Sequence, residues 1–500
     1  MTAPSNAPIV LHIDGQRTGT DTSLTNWPAE LYAIDGLARG AGAAAPRLEL
    51  PPDAVLELEL SSGERLLVAA ADAGRYLSAS PRRGAGEADA LVVGPALRFS
   101  GVRLPSAPMR DGLGAWIVKS LRVFGQGPAG MMAFTAAGTF EDAQLADRIG
   151  LYRCAGDYFG LTKAESLPVA AEPTLLLIHG TASSTQGSFG DLWRNESYRR
   201  KMVEAYGARI YAFEHRSLTE SPIANALALV QTLPQGARLH VVSHSRGGLV
   251  GELLARAARV AAEPIGEQDV TRFLAQAERS VRKSFENLDC DDGDDDAERD
   301  ALKGFAAQAQ ALRELNRKLI KRKIRIERFV RVACPARGTT LASGRLDRWA
   351  SAMLNLIGAG VDAASHAVSS CAPILALAPE LYNAFKSFLL AVVKQRCDAR
   401  VLPGLEAMMP DSPLVGLLCA PDIDIDAKLH TIAGDFAGDG LLSWLVDCVS
   451  EVFYGGETDW VVNTPSMAGG ARRVQGIVQK SVRGQKVNHF SYFQRFRAYQ

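Results

Sequence analysis

In "HVVSHSRGG", residues 240–248, Ser245 stands between a short apolar run and two glycines. A serine hydroxyl is a poor nucleophile until a neighbouring base takes its proton, and a sharp strand-to-helix turn helps by presenting the side chain above a sheet. The pattern of such a turn is G-x-S-x-G, and here Ser243 occupies the place of the first glycine. Crowded backbone excludes larger side chains at those flanking positions, and serine is the next small choice. "LHVV" reads as the strand, residues 243–247 as the turn and "GLVGELLARAARV" as a helix of good formers.

Nucleophilic chemistry at Ser245 needs a base, an acid and an oxyanion site. "QKVNHFSYF" carries His489, the last of eight histidines, beyond the final expected strand, and it is the expected general base. The acid should fall between the two, in the order Ser, Asp, His. "GGETDWVVNTPSM" offers Asp459 in a turn, whereas "AGDFAGDGLLSW" offers Asp435 and Asp439 directly after a strand. We take Asp459, to hold the imidazole tautomer and stabilise the imidazolium, because the doubled Gly-Asp pattern is also an ordinary turn signal. "LLLIHGTASST" upstream reads as a buried strand ending in His179-Gly180, with the Thr181 amide as one oxyanion donor and the Arg246 amide as the other. His179 and His244 read as shaping their loops, and His215, His240 and His430 as strand residues.

The elements that must position these residues begin at Pro173. "TLLLIHG", "RIYAFEHR", "RLHVVSHS", "RFVRVACP", "KLHTIAGDF" and "VQGIVQKSV" are short apolar runs separated by helical segments, the pattern of an α/β fold with a mostly parallel sheet covered on both faces. Residues 1–165 read as a smaller, mainly β domain of unknown role: "LELEL" at Leu56–Leu60 alternates, and "AWIVKSLRVFG" reads as a strand with one solvated face. Asp35, Asp111 and Asp157 beside glycines read as turn residues. Residues 166–500 form the expected catalytic domain, interrupted by a charged helical insertion at 264–325 and an apolar helical segment at 340–420. Core packing and a cap over a hydrophobic site are equal readings of that second segment. In the first, the acidic run Asp289–Asp300 fails the calcium-loop spacing around Gly293, where Leu288 and Cys290 stand at two of the ligand positions; it reads as a solvated connector.

The 55 basic and 55 acidic residues cancel, so no global field favours nucleic acid or anionic lipid. The start of the chain lacks the pattern of an export signal and no run is long enough to span a membrane, which leads to the expectation of a cytoplasmic protein. The seven cysteines form no C-x-x-C pair, an argument for reduced thiols and against zinc.

Across residues 173–495 the chain resembles the α/β-hydrolase superfamily, and within it the lipase-like branch, through "LLLIHG", "SHSRGG", "ACPARGTTLAS", "LPGLEAMMPDSPLVGLL", "TIAGDFAGDG", "TDWVV" and "NHF". The resemblance implies a nucleophile at Ser245, a base at His489, an acid at Asp459, an oxyanion hole from the Thr181 and Arg246 amides, and a cap between "ACPARGTTLAS" and "MMPDSPLVGLL". The chain departs from the pattern at Ser243, at Pro335-Ala336-Arg337 and in the long insertion before the acid. The expected reaction is cleavage of carboxylic esters of lipids or other hydrophobic acyl groups through a Ser245 acyl-enzyme, with no cofactor or metal. Two alternatives stand beside it: a partner-binding protein using the fold as a scaffold, and a lipase-type toxin or defence effector acting on membranes. Contact of the cap with a membrane surface, and a protein partner for the N-terminal domain, belong to these readings.

Overall fold

All six apolar runs lie in one eight-stranded sheet. Its strands are β1 (Gly150–Ala155), β2 (Gly160–Ala164), β3 (Thr174–Ile178), β4 (Ile210–Glu214), β5 (Arg238–His244), β6 (Arg325–Val332), β7 (Lys428–Phe436) and β8 (Ile477–Gly484). The computed structural model describes residues 8–34, 46–79, 90–95, 117–125, 132–286, 295–339, 349–354, 379–395, 401–436, 462, 464–484 and 492–494, apart from 25, 62, 64, 158 and 352. The strand order is β2-β1-β4-β3-β5-β6-β7-β8. From β4 to β8 every pairing is parallel, while β1 runs antiparallel to both β2 and β4. Parallel strands need crossover helices on both faces, so β3 and β4 are buried at every position, as their uninterrupted apolar sequences require.

The helices carry legible start signals. In α2 (Thr185–Arg194) the Ser184 side chain accepts from the Gly187 amide; in α3 (Glu196–Tyr206) Asn195 accepts from Tyr198; in α4 (Pro222–Gln231) Ser221 accepts from Ala224, with Pro222 in the first turn. The turn at Ser245 leads into α5 (Gly247–Ala255), which is buried throughout. The charged insertion is a pair of helices, α6 (Glu267–Glu286) and α7 (Asp295–Arg322), closed by Phe273 against Phe305 at 6.1 Å and by buried Leu312, Leu315 and Leu319. The acidic run is therefore not all connector. Residues 289–294 lie outside the described residues, and from Asp295 the run opens α7, where acids suit the positive end of a helix.

The N-terminal region holds two further sheets. Five antiparallel strands run across one of them in the order Gly15–Asp21, Ala29–Ile34, Val118–Phe124, Val55–Leu60, Arg65–Ala69. The other joins Arg47–Leu50, Ile9–Ile13, Leu91–Val93 and Ser78–Ala79. Alternation sends Leu56, Leu58 and Leu60 into a core shared with Leu11 and Ile13. Val55, Leu67, Ala69 and Phe124 on the opposite face join the core of the large sheet.

That face is largely covered, where the strand after Ala115 is expected to have one solvated face, although the Lys119 side chain remains 68% exposed. Helix α8 (Pro379–Lys394), from the apolar segment, covers it and sets Lys386 Nζ 2.8 Å from the fully buried Glu57, which also receives Arg122 Nη1 at 3.0 Å. A division at residue 165 also cuts through the fold, because β1 and β2 belong to the large sheet. Helix α1 (Ala133–Leu145), just before them, stacks Phe140 on Phe385 and Phe388 of α8.

Buried Glu141 on α1 accepts from the backbone amides of Ser217 (2.5 Å), Leu218 (2.7 Å) and Thr219 (3.2 Å), holding the loop after β4. Truncation would strand two buried donors and one part-buried donor at once. Glu141→Ala is expected to cost about 3 kcal/mol or more, read as a shift of the urea midpoint; a change below about 1 kcal/mol would show that the loop finds other acceptors.

Candidate active site

Ser245 takes the left-handed backbone conformation, with φ of +52°, between the end of β5 and the start of α5. A non-glycine residue pays for that conformation, and its surroundings hold it there. The Ser245 amide donates to the Val332 carbonyl at 2.8 Å, at the end of the adjacent β6. A Cβ on Gly180 would lie 2.7 Å from Ser245 Cβ, and one on Gly247 would collide with the carbonyls of Ile178 and His179. Glycine is required at both positions by close approach, so β3, β5 and α5 meet almost backbone to backbone under the serine. Ser243 is in register with Ile178 and Arg331 inside the sheet and fully buried, which explains why a small side chain other than glycine is admitted there.

A cleft opens above Ser245. Its polar wall is Gly180, Thr181, Ser183, Ser188 and His244; its apolar wall is Trp349, Met353 and Met408. Ser188 Oγ, on α2, accepts from the Gly180 amide at 3.3 Å and lies 3.1 Å from Ser183 Oγ and 3.3 Å from His244 Nδ1. The loop after β3 is pinned on two sides: Ala182 donates to Ser217 Oγ at 2.8 Å and accepts from Gln144 Nε2 of α1 at 2.8 Å. Among the described residues no hydrogen bond occupies the amides of Thr181 or Arg246. The Arg246 side chain points into the protein, where it donates to Asn225 Oδ1 at 3.0 Å, the Glu220 carbonyl at 2.5 Å and the Gly404 carbonyl at 3.2 Å. Burial lowers its guanidinium only to about 10, so it stays charged at neutral pH.

Beneath the loop lies a buried cluster that the sequence does not announce. His179 Nδ1 is 3.0 Å from the Gly180 carbonyl, Nε2 accepts from the His215 amide at 3.2 Å, and the two imidazoles stack at 4.0 Å. Glu214 Oε2 lies 3.3 Å from His179 Nε2, and its carboxylate accepts from the Thr185 amide at 3.1 Å. Desolvation pushes His179 down to about 4 and Glu214 up to about 7. The contact therefore joins a neutral imidazole to a carboxyl that is half protonated near neutrality, and it is not an ion pair. His179 is structural, as expected, while the part of Glu214 becomes visible only in three dimensions.

Of the expected site residues the structure brings Ser245, Thr181 and Arg246 together. Asp459, His489 and the competing Asp439 lie outside the described residues, and Asp435 has only its backbone described, opposite Arg483 within β7 and β8. Two described neighbours bear on them. Thr464 Oγ1 donates to the Gly434 carbonyl at 2.6 Å, near the end of β7, and Phe493 meets the His244 ring at 5.8 Å and Phe189 at 5.2 Å. Ser188 carries no motif, while Trp349, Met353 and Met408 fall within the apolar 340–420 segment, and the fold alone shows which of its residues reach the cleft.

A parallel-stranded α/β sheet with a left-handed serine at one strand end places the chain among mixed α/β proteins whose site lies at the carboxyl edge of the sheet. Residues 154–277 and 308–500 match the family described as Domain of unknown function (DUF7379), and the chain belongs to that family. No curated protein matches it. Among solved structures it is similar to lipase 1 from Pelosinus fermentans, at 12% identity over 64% of this chain and 93% of that one, with a TM-score of 0.36. It is also similar to a structure described as novel epoxide hydrolases belonging to the alpha/beta hydrolases superfamily in metagenomes from hot environments, at 13% identity over 70% and 96% of the two chains, with a TM-score of 0.26.

Two outcomes follow from the buried groups. Ser243 Oγ is buried without a hydrogen-bond partner among the described residues, so Ser243→Ala is expected to raise stability by about 1 kcal/mol in urea melts; a loss would reveal a hidden partner. Because the folded pKa of Glu214 is raised from 4.5 to about 7, its contribution to stability falls as pH rises through that window; His179, lowered from 6.5 to about 4, contributes in the opposite sense between those values. Glu214→Gln should therefore gain up to about 3 kcal/mol on the wild type between pH 4.5 and 7. Equal stability differences at the two pH values would refute the shift.

Proposed function

We propose that the protein is a serine hydrolase of the α/β-hydrolase type that cleaves carboxylic esters of hydrophobic acyl groups through an acyl-enzyme on Ser245. The observation that carries this reading is the left-handed Ser245 at the β5–α5 turn, in the floor of a cleft with one polar and one apolar wall. In this reading Ser245 Oγ attacks the ester carbonyl while His489 takes its proton, and Asp459 orients the imidazole. The amides of Thr181 and Arg246 donate to the oxyanion, which needs donors not otherwise engaged. His489 returns the proton to the departing alcohol and then activates the water that releases the acid.

Chain course supports the two partners. β5, β7 and β8 run parallel, so their C-terminal ends lie at one edge of the sheet. The Tyr492–Gln494 turn, which follows His489 in sequence, packs through Phe493 on His244, the neighbour of Ser245. The Thr464–Ala468 turn, which follows Asp459, is tied to the end of β7. Trp349, Met353 and Met408 favour an apolar acyl chain over a polar one.

Labelling by a fluorophosphonate probe tests the reading. The wild type should label, Ser245→Ala should not, and His489→Ala and Asp459→Asn should label about a hundredfold more slowly or worse. If Asp435→Asn slows labelling and Asp459→Asn does not, the acid is reassigned. A folded wild type inert to the probe, or a Ser245→Ala variant that still labels, defeats the proposal.

A further inference from the structure

The apolar wall of the cleft is held by the N-terminal sheet. Trp349 and Met353 flank Ser351 in sequence, and Ser351 points away from the cleft to the strand Arg65–Ala69. Its Oγ accepts from the Leu67 amide at 3.0 Å and donates to the Leu67 carbonyl at 3.3 Å. Leu67 lies opposite Glu57 in the last strand of the five-stranded sheet, so both of its outward backbone groups are satisfied by one side chain where another strand would otherwise pair. All of this is buried: Ser351 is 6% exposed and Leu67 1%.

A second connection runs through α8. Trp349 meets Phe388 edge-on at 5.9 Å, and the same helix reaches the N-terminal sheet through Lys386 to Glu57 at 2.8 Å, Tyr382 to Arg65 at 3.3 Å and Lys394 to Asp53 at 2.6 Å. The wall residues thus lie between the reacting serine on one side and the N-terminal sheet on the other.

We propose that the N-terminal β sheet is a specificity-determining part of the active site, with Ser351 as the positioning residue that sets Trp349 and Met353 against the acyl chain of the substrate. The proposal rests on the reading of Ser245 as the nucleophile. Ser351 touches neither the serine nor the reacting carbonyl; it acts through its neighbours, so its loss should alter how long acyl chains bind more than how fast a bound ester reacts.

The test compares the full-length wild type with Ser351→Ala and Ser351→Thr, using p-nitrophenyl acetate and decanoate together with amide hydrogen exchange of peptides covering 349–354. Ser351→Ala should raise KM for the decanoate about fivefold while changing kcat/KM for the acetate less than about twofold, the scale of one lost hydrogen bond. Exchange across 349–354 should quicken by a similar factor, and Ser351→Thr, which keeps the hydroxyl, should restore both. Wild-type exchange rates in Ser351→Ala overturn the tether; equal effects on the two esters overturn its role in specificity. A wild type that neither labels at Ser245 nor cleaves either ester removes the hydrolase reading and the specificity claim with it, while the exchange rates still decide whether Ser351 holds the wall.

Discussion

The close crossing of α5 over the sheet is the constraint on which the site depends. A Cβ on Gly248 would meet Cys334 Cβ at 2.8 Å and Arg331 Cγ at 2.9 Å, and one on Gly251 would run into the Phe329 ring. Together with Gly247 against the end of β3, these contacts seat the helix directly on β3 and β6. With the helix so low, only Ser245 and Arg246 join β5 to α5, and since Arg246 is already helical, Ser245 absorbs the turn in a conformation most side chains avoid. The loop after β3 is then brought against the serine because Gly180 adds no side chain between them.

Buried charge around this crossing is arranged in two different ways. On the far side of α5, Glu252 receives Arg331 Nη1 and Arg473 Nη2 at 2.6 Å each. Burial alone would raise that carboxyl, yet Arg473 and Arg331 hold it below its usual range. Glu214, beneath the loop after β3, has a backbone amide and a neutral imidazole for partners, and there desolvation wins. The comparison shows what a full counter-charge does that a dipole does not: one glutamate is a permanent ion of the scaffold, while the other sits near its titration point beneath the loop that faces Ser245.

The parts of the fold legible in the sequence are those decided locally. Strands β3 and β4 are near-continuous apolar runs, and Ser245 announces itself by its two following glycines. The division of the N-terminal region is less visible, because "GLYRCA" at Gly150–Ala155 reads equally well as a strand of either sheet and only its pairing with β4 settles the matter. The strand after Ala115 reads as having one solvated face, yet its Arg122 and the neighbouring Glu57 are charges paired under α8, and sequence cannot separate a paired ion covered by a helix from an exposed one. Trp349, Met353 and Met408 come from the segment that reads equally as core or as cap, and they are both: members of the same apolar cluster as α5 that also reach the cleft.

The position of the strand Arg65–Ala69 has a consequence for how the protein survives disturbance. An edge strand offers unpaired backbone groups to any other extended chain, and natural sheets guard such edges. Here the guard at Leu67 is Ser351, from the segment that walls the cleft, with α8 lying alongside. Losing the Ser351 hydroxyl would leave the Leu67 amide and carbonyl unpaired in a buried place. One hydroxyl thus serves two ends, sealing a strand edge against other extended chains and fixing the residues beside the cleft.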